Sequence, residues 1–519
     1  MELTGSWDRV EVDRRTFLAR AGASAAALTL AANGLSVARA AQGRAPFSGY
    51  PFTLGVASGD PLPSGVVLWT RLAPDPLAGD GKGGVPARTI PVRWEVAEDE
   101  RFRRVVRKGQ ATATPELAHS AHVEVNGLRS GRDYFYRFVA AGQDSPVART
   151  RTAPASGAPL RELDLGIVSC QSWSGGPFAA YRTIAQEDLD VVLHLGDYIY
   201  EEGDTETLTD FRLLYSKYKR SKDLMAAHAA FPFVLTLDDH EIENNWAGLT
   251  SQTDNEESNS PERFTDLRAA AFQAYYENLP LRRGARPVGP DMMLYRRLAF
   301  GDLLDMSVLD TRQYRSDQVE ESFPFGPLSP DAADPGRTMT GAKQERWLLR
   351  NLDRSRARWN AIAQQTIMAQ FDYDTGDSVA VNHDQWDGYS AARQRILEHI
   401  ARKKTRNPVV LSGDWHSSWV NDLKLDWADE QAPVVASEFA GTSVSSGCGW
   451  ADDVEAALPV NPHVKFFDGT KRGYIRSKIT RDRWVSDYRA VASAADRESP
   501  ATTLTSWVVD NGRAGARQA

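Results

Sequence analysis

Two periodicities divide the chain. Between positions 50 and 152, apolar residues alternate with polar ones or come in short runs bounded by Gly, Pro, Asp or Asn. The clearest are Gly65-Val66-Val67-Leu68-Trp69-Thr70-Arg71, Pro91-Val92-Arg93-Trp94-Glu95-Val96 and Tyr134-Phe135-Tyr136-Arg137-Phe138-Val139. Alternation at period two buries one face of a pleated strand, so this stretch predicts a small antiparallel β-sandwich. Residues 146–159 are polar and rich in Pro and Ala, which predicts a linker. From 163 the pattern changes. Apolar strands at 163–169, 191–195, 234–237, 303–309 and 409–411 alternate with helical stretches at 208–229, 262–277 and 344–353. That is an α/β organisation with helices covering the sheets, spanning 160–492 and followed by a tail at 493–519. No repeat of 20 to 50 residues is visible. The Asn/Ser/Glu-rich segment 244–260 predicts a surface loop near the site.

Composition narrows the class. The chain has 519 residues with 14 Trp, 19 Phe and 16 Tyr, which excludes a disordered or fibrous protein and leaves ample material for a buried core. A net charge of −8 excludes a general attraction to nucleic acid. The two cysteines, Cys170 and Cys448, exclude a disulfide scaffold and allow at most one bridge. Leu128 and Tyr134, six apart before a strand, resemble the tyrosine corner of fibronectin-type domains, in which the hydroxyl ties the chain to an upstream backbone group.

Residues 1–40 read as an export signal. Asp13-Arg14-Arg15-Thr16-Phe17-Leu18 is a twin-arginine pattern, an Ala/Leu run follows, and Ala38-Arg39-Ala40 offers a small-x-small cleavage site. The partner expected is therefore the twin-arginine export machinery, and the destination extracytoplasmic. The run is too short and too Ala-rich for a stable membrane span, which takes about 20 strongly apolar residues.

Five polar clusters each follow an apolar strand. They are Ser169-Cys170-Gln171; His194-Leu195-Gly196-Asp197-Tyr198-Ile199-Tyr200-Glu201; Leu237-Asp238-Asp239-His240-Glu241; Leu309-Asp310-Thr311-Arg312; and Leu411-Ser412-Gly413-Asp414-Trp415-His416. Carboxyl ends of strands converge on one crevice in open α/β sheets, so these groups can meet although widely spread along the chain. His194, inside a buried strand, reads as a core histidine.

In these clusters the chain resembles the PhoD-type alkaline phosphatases, distant members of the calcineurin-like metallophosphoesterases. The resemblance extends to Gly55-Val56-Ala57-Ser58-Gly59-Asp60-Pro61, Gly441-Thr442-Ser443-Val444-Ser445-Ser446 and Trp484-Val485-Ser486-Asp487-Tyr488-Arg489. The general pattern of Asp-x-His, Gly-Asp, Gly-Asn-His and Gly-His-x-His is altered here in the family's own way. Ser169-Cys170 replaces the first element, Asp239-His240 the third and Gly413-Asp414-Trp415-His416 the last.

The fold this implies is α/β, a four-layer αββα metallophosphoesterase core preceded by a small fibronectin- or Ig-like sandwich. The resemblance also implies iron(III) held by Cys170, Asp197, Tyr200 and His416, and calcium held by Asp197, Asp239 and Asp414. A phenolate, with an ordinary pKa near 10, forms only beside a strong Lewis acid, so Tyr200 suits a trivalent ion better than zinc. An all-oxygen second site suits a hard divalent ion. Two metals would clamp a transferring phosphoryl group and generate hydroxide at working pH. His240 is expected to face the substrate and protonate the leaving oxygen. Arg312 and Arg315 are expected to form a planar fork onto phosphate, with a structural salt bridge as the alternative. If Cys170 binds metal, Cys448 is left unpaired. The activity expected is secreted alkaline phosphatase and phosphodiesterase, scavenging phosphate from small esters. A phospholipase-D-like phosphodiesterase on the same fold is the enzymatic alternative. A decayed hydrolase serving as a surface binding module is the alternative from another class.

Overall fold

The computed structural model describes residues 47–203, 205–252, 260–319 and 324–519. The export signal expected at 1–40 lies outside them. Two mixed sheets face each other. The first has ten strands, in the order Arg517–Gln518, Ala501–Asp510, Arg483–Val491, Arg472–Thr480, Glu162–Val168, Val191–His194, Pro232–Leu235, Val56–Leu62, Gly65–Arg71 and Ser120–Asn126. The second has seven: Arg296–Phe300, Leu304–Val308, Trp359–Ala363, Pro408–Ser412, Val434–Ala440, Ser418–Lys424 and Val464–Asp468. The central strands of both are parallel.

Their near-continuous apolar sequences follow from burial on both faces. Val191 and Leu193 point into the layer between the sheets, where they join Leu304, Met306, Val409 and Leu411. Val192 points outward to Tyr181, Phe211, Tyr215 and Phe272 of the helices covering the first sheet. Ile362 and Val410 point outward to Leu348, Leu352, Ile396 and Ile400 of the helices covering the second. The result is a four-layer αββα core. The predicted helix at 208–229 is two helices, Leu208–Lys219 and Lys222–Ala230. The break falls at Ser221, whose extended backbone and side chain cap the second helix by accepting the Leu224 N–H at 3.4 Å.

The N-terminal sandwich is present, with a boundary the period did not show. One of its sheets contains Val105–Ala113, Ile90–Ala97, Asp133–Ala140, Gln143–Asp144 and Ala148–Arg151. The other consists of Val56–Leu62, Gly65–Arg71 and Ser120–Asn126, and these are the last three strands of the ten-stranded sheet. Ser58 pairs with Pro232 and Gly59 with Phe233, in parallel. The sandwich is therefore fused edge-on to the core rather than appended to it. The Tyr134 hydroxyl accepts the Arg129 N–H at 2.9 Å, which is the expected corner.

Two expectations are corrected. The stretch 146–159 is not all linker, because Ala148–Arg151 pairs along Asp133–Ala140 with Ala148, Arg149 and Thr150 buried. Nor is 493–519 a tail. Ala501–Asp510 runs antiparallel along the whole of Arg483–Val491, burying Trp507, Val508 and Val509.

Candidate metal centre

All five clusters lie at the carboxyl ends of parallel strands: three from the ten-stranded sheet, two from the seven-stranded one. Four of the candidate residues leave their strands in left-handed backbone conformation: Cys170 at φ 59°, Asp197 at 55°, Asp414 at 61° and His416 at 51°. A non-glycine residue in that region costs about 1 kcal/mol or more, and such strain gathers where function dictates a side chain's direction. Here it turns the four side chains toward one point. Gly196, at φ 115°, brings the Asp197 loop so close to its neighbour that a Cβ would lie 2.3 Å from the Asp238 Cβ. At Gly413 a Cβ would lie 2.6 Å from the Ser169 hydroxyl.

The convergence produces three donor groups, in each of which the donor atoms lie within 4.8 Å of one another. They are Cys170, Asp197 and His416; Asp197, Asp239 and His240; and Asp197, Asp238, Asp239 and Asp414. Asp197 belongs to all three. The Tyr200 hydroxyl sits on the first group, donating to Asp197 Oδ2 at 3.0 Å and lying 2.8 Å from His416 Nε2. His416 Nδ1 lies 2.7 Å from the Gly447 carbonyl, which makes it the N–H bearer and leaves Nε2 as the free base. Burial lowers the His416 pKa to about 4, which keeps that nitrogen unprotonated.

The cluster carries more negative charge than its surroundings offset. Burial first, then the neighbouring carboxylates, raises Asp197 well above the ordinary range and Asp414 to about 6. Burial raises Asp238 as well, against the pull of Arg312. Asp239 goes the other way: burial opposes it, but Arg312, His240 and the Asn245 N–H together hold it low. The Cys170 thiol is pushed up by burial, Asp197 and Asp414, and the Tyr200 phenol by burial, Asp197 and Cys170. Buried thiol, phenol and carboxyl groups in one cluster deprotonate together only if cations are supplied.

Around this cluster lie residues whose roles the sequence did not reveal. Glu241 accepts three backbone N–H groups, from Asp197 at 3.1 Å, Tyr198 at 2.6 Å and Asp238 at 2.8 Å, and so joins two of the loops. Glu201 Oε2 lies 2.7 Å from His240 Nδ1, while its other oxygen accepts the Asn244 N–H. Burial works against a charged His240, but Glu201, Asp239 and Asp197 prevail and raise its pKa well above the ordinary value. Both glutamates stand in the clusters quoted above, and so does Asp238, next to Asp239.

The fork expected of Arg312 and Arg315 is not available to substrate. Both side chains are fully buried. Arg312 pairs with Asp238 at 2.5 Å and Asp384 at 2.9 Å, and reaches Asp239 and Asp414 at 3.5 Å. Arg315 pairs with Asp384 at 2.6 Å and donates to the Asn245 and Trp246 carbonyls. The structural alternative holds: the two guanidiniums offset charge beneath the donor cluster. His194 is buried and accepts the Gly196 N–H, as a core histidine. Cys448 is a free, half-buried thiol. The near part of the 244–260 loop touches the site through Asn245, whose N–H donates to Asp239 at 2.7 Å; residues 253–259 lie outside the described ones.

The chain's relatives are phosphoric ester hydrolases, and its two facing mixed sheets carry at their strand ends a donor cluster that could hold metal ions. The model of the PhoD-like phosphatases matches residues 165–488, and that of their N-terminal domain matches 36–154. The chain belongs to the PhoD-like phosphatase family. It is 44% identical over 531 aligned positions to alkaline phosphatase D of Bacillus subtilis (strain 168), covering 98% of this chain and 89% of that protein. A solved structure of PhoD superposes with a TM-score of 0.86 at 45% identity, covering 91% of this chain and 92% of the other.

Proposed function

We propose that this chain hydrolyses phosphoric mono- and diesters outside the cytoplasm, at a centre of two unlike metal ions sharing Asp197. The observation that carries this reading is the place of Asp197 between a sulfur- and nitrogen-bearing group and an oxygen-only group. Cys170, Tyr200, His416 and Asp197 fit iron(III), since a thiolate and a phenolate both require a strong Lewis acid to form in so buried a place. Asp239 and Asp414, with Asp197, fit calcium. Bound there, the two cations would supply Lewis-acid stabilisation of the charge on the transferring phosphoryl group.

The chain's own contribution is orientation and proton transfer. Glu201 fixes the His240 ring through Nδ1, so the Nε2–H is free to donate to the leaving oxygen. Glu241 and Arg312 hold the carboxylate loops in register, one through backbone N–H groups and the other by charge. Trp415 and Trp450, packed beside His416, offer an apolar border for the organic group of an ester. Export through the twin-arginine route rests on Arg14 and Arg15. Among the described residues no helix is long and apolar enough to cross a membrane.

Elemental analysis of the purified protein, with p-nitrophenyl phosphate and bis-p-nitrophenyl phosphate as substrates, tests this reading. Iron and calcium are expected, with turnover lost in EGTA and restored by calcium. Zinc in place of iron, or activity untouched by exhaustive EGTA, would reject the metal assignment. Failure to cleave either ester would reject the activity.

A further inference from the structure

A cavity of about 600 Å³ opens at the end of the seven-stranded sheet opposite the metal centre. Three turns line it: 356–358, leading into Trp359–Ala363; 404–407, leading into Pro408–Ser412; and 511–514, beyond Ala501–Asp510. The strand Pro408–Ser412 begins here and ends just before Asp414, so its five residues put about 17 Å between cavity and cluster. In a chain of net charge −8, six cationic side chains line this cavity: Arg356, Arg358, Lys404, Arg406, Arg481 and Arg513. The single acidic lining residue, Asp302, is engaged by Arg481 at 2.8 Å and by the Leu160 N–H at 3.0 Å. The other five form no ion pair among the described residues.

The cavity is constructed rather than a chance crevice. One half-buried amide, that of Asn407, ties all three turns together. Its Nδ2 donates to the Arg358 carbonyl at 2.7 Å and to Asn511 Oδ1 at 2.8 Å, and its Oδ1 accepts the Gly512 N–H at 2.7 Å. Lys404 and Asn407 both adopt left-handed backbone, at φ 53° and 44°, to form the central turn. Of these five, only Arg513 is drawn toward a carboxylate, that of Asp510, and like charges gathered around one concavity raise its potential and favour an anion there.

We propose that this cavity is a second, non-catalytic site for a compact polyanion bearing several closely spaced phosphate groups. Four planar guanidiniums suit bidentate contact with phosphate oxygens, and five cations without an ion pair match a ligand of several negative charges rather than a monoanion. Its volume suits a small ligand or a short stretch of a polymer. The shared chemistry is the phosphate run, whether free or part of a chain.

The test is calorimetric titration of the metal-loaded full chain with inorganic tripolyphosphate at about 0.15 M salt, close to physiological ionic strength, comparing wild type with Arg356→Glu/Arg406→Glu. Both residues are exposed, and p-nitrophenyl phosphate turnover reports that the variant is folded. Wild type is expected to bind with an affinity at least tenfold above the variant's, weakening steeply with salt, while turnover is equal. If the glutamate variant loses turnover, Arg356→Gln/Arg406→Gln takes its place with the same criterion. Identical isotherms for wild type and variant, or no binding by wild type, would overturn the proposal. Long-chain polyphosphate in a second arm separates the sources: tighter binding per molecule than tripolyphosphate assigns the site to a polymer, equal binding to a free oligophosphate. Duplex DNA binding more tightly than either would make the cavity part of a nucleic-acid surface and overturn it.

Discussion

Glu241→Gln should move stability and metal binding in opposite directions. The carboxylate accepts N–H groups from Asp197 and Asp238 on one oxygen and from Tyr198 on the other. The amide keeps an acceptor for the first pair but turns an NH₂ toward the Tyr198 N–H. With the metals bound, that loss of one charge-assisted bond costs roughly 1.5–3 kcal/mol in holding the Asp197 loop. Supporting groups of this kind change metal affinity by about 10- to 100-fold when altered. Burial raises the Glu241 pKa from 4.5 to about 7, so the folded metal-free protein binds this proton more tightly than the unfolded chain does. For a raised acid the stabilising contribution is complete below 4.5 and is lost as pH rises to about 7, a difference of about 3 kcal/mol. Glutamine does not titrate. Metal-free Glu241→Gln should therefore match wild type below pH 4.5 and gain on it by about 3 kcal/mol near pH 8. Urea denaturation of both proteins after chelation, at several pH values, measures the gain, and metal titration measures the loss. A stability difference that does not vary between about pH 5 and 8, or wild-type metal affinity in the variant, would refute the role given to this carboxylate.

Three further outcomes are expected. His240→Ala should retain metal and lose about two to four decades in rate, more on alkyl than on p-nitrophenyl esters, and Glu201→Gln should reproduce the leaving-group dependence in weaker form; equal losses on both ester types exclude a proton donor. If the proposed iron(III) is bound, Tyr200→Phe should abolish its tyrosinate charge-transfer colour with little change in melting temperature, and a persistent band would remove Tyr200 from the proposed ligands. Asp384→Ala should destabilise the protein by about 3–5 kcal/mol in denaturant unfolding, because it leaves the buried Arg312 and Arg315 without their shared carboxylate; a loss below about 1 kcal/mol would show that the two arginines are not held by Asp384.

What the sequence disclosed, and what it concealed, follows from the range of the interactions. Cys170, Asp197, Asp239, Asp414 and His416 are legible because each closely follows an apolar strand, and parallel strands deliver their carboxyl ends to one side. Glu201 and Glu241 lie in the same clusters, but what they bind depends on loop curvature set by left-handed residues and by Gly196. Asp384 gives no signal: it follows a three-residue strand, and its partner Arg312 is 72 positions away. Arg312 is ambiguous in the sequence because an arginine on a strand-end loop looks the same whether phosphate or a set of carboxylates awaits it. The sandwich is legible from alternation, whereas its fusion to the core rests on a parallel pairing between Ser58 and Pro232 that no local pattern encodes. In Ala501–Asp510 the half facing solvent is Thr-rich and Leu504 is exposed, which blurs the alternation.

The fusion of the two β regions has a consequence for assembly. Val56–Leu62 completes one flank of the strand that leads to Asp239, and Arg472–Thr480 completes the flank of the strand that leads to Cys170. The latter contact joins Arg476 to Asp164, 312 positions apart. The flank beside the Cys170 strand is supplied by Arg472–Thr480, so the donor cluster closes only after that late strand has been made. Such long-range pairing slows folding. It also couples strands from early and late in the sequence to the centre, so unfolding should spread through the ten strands as one cooperative event rather than module by module. Neither β region can be exchanged between relatives as an independent cassette without opening an edge of the sheet that carries the chemistry.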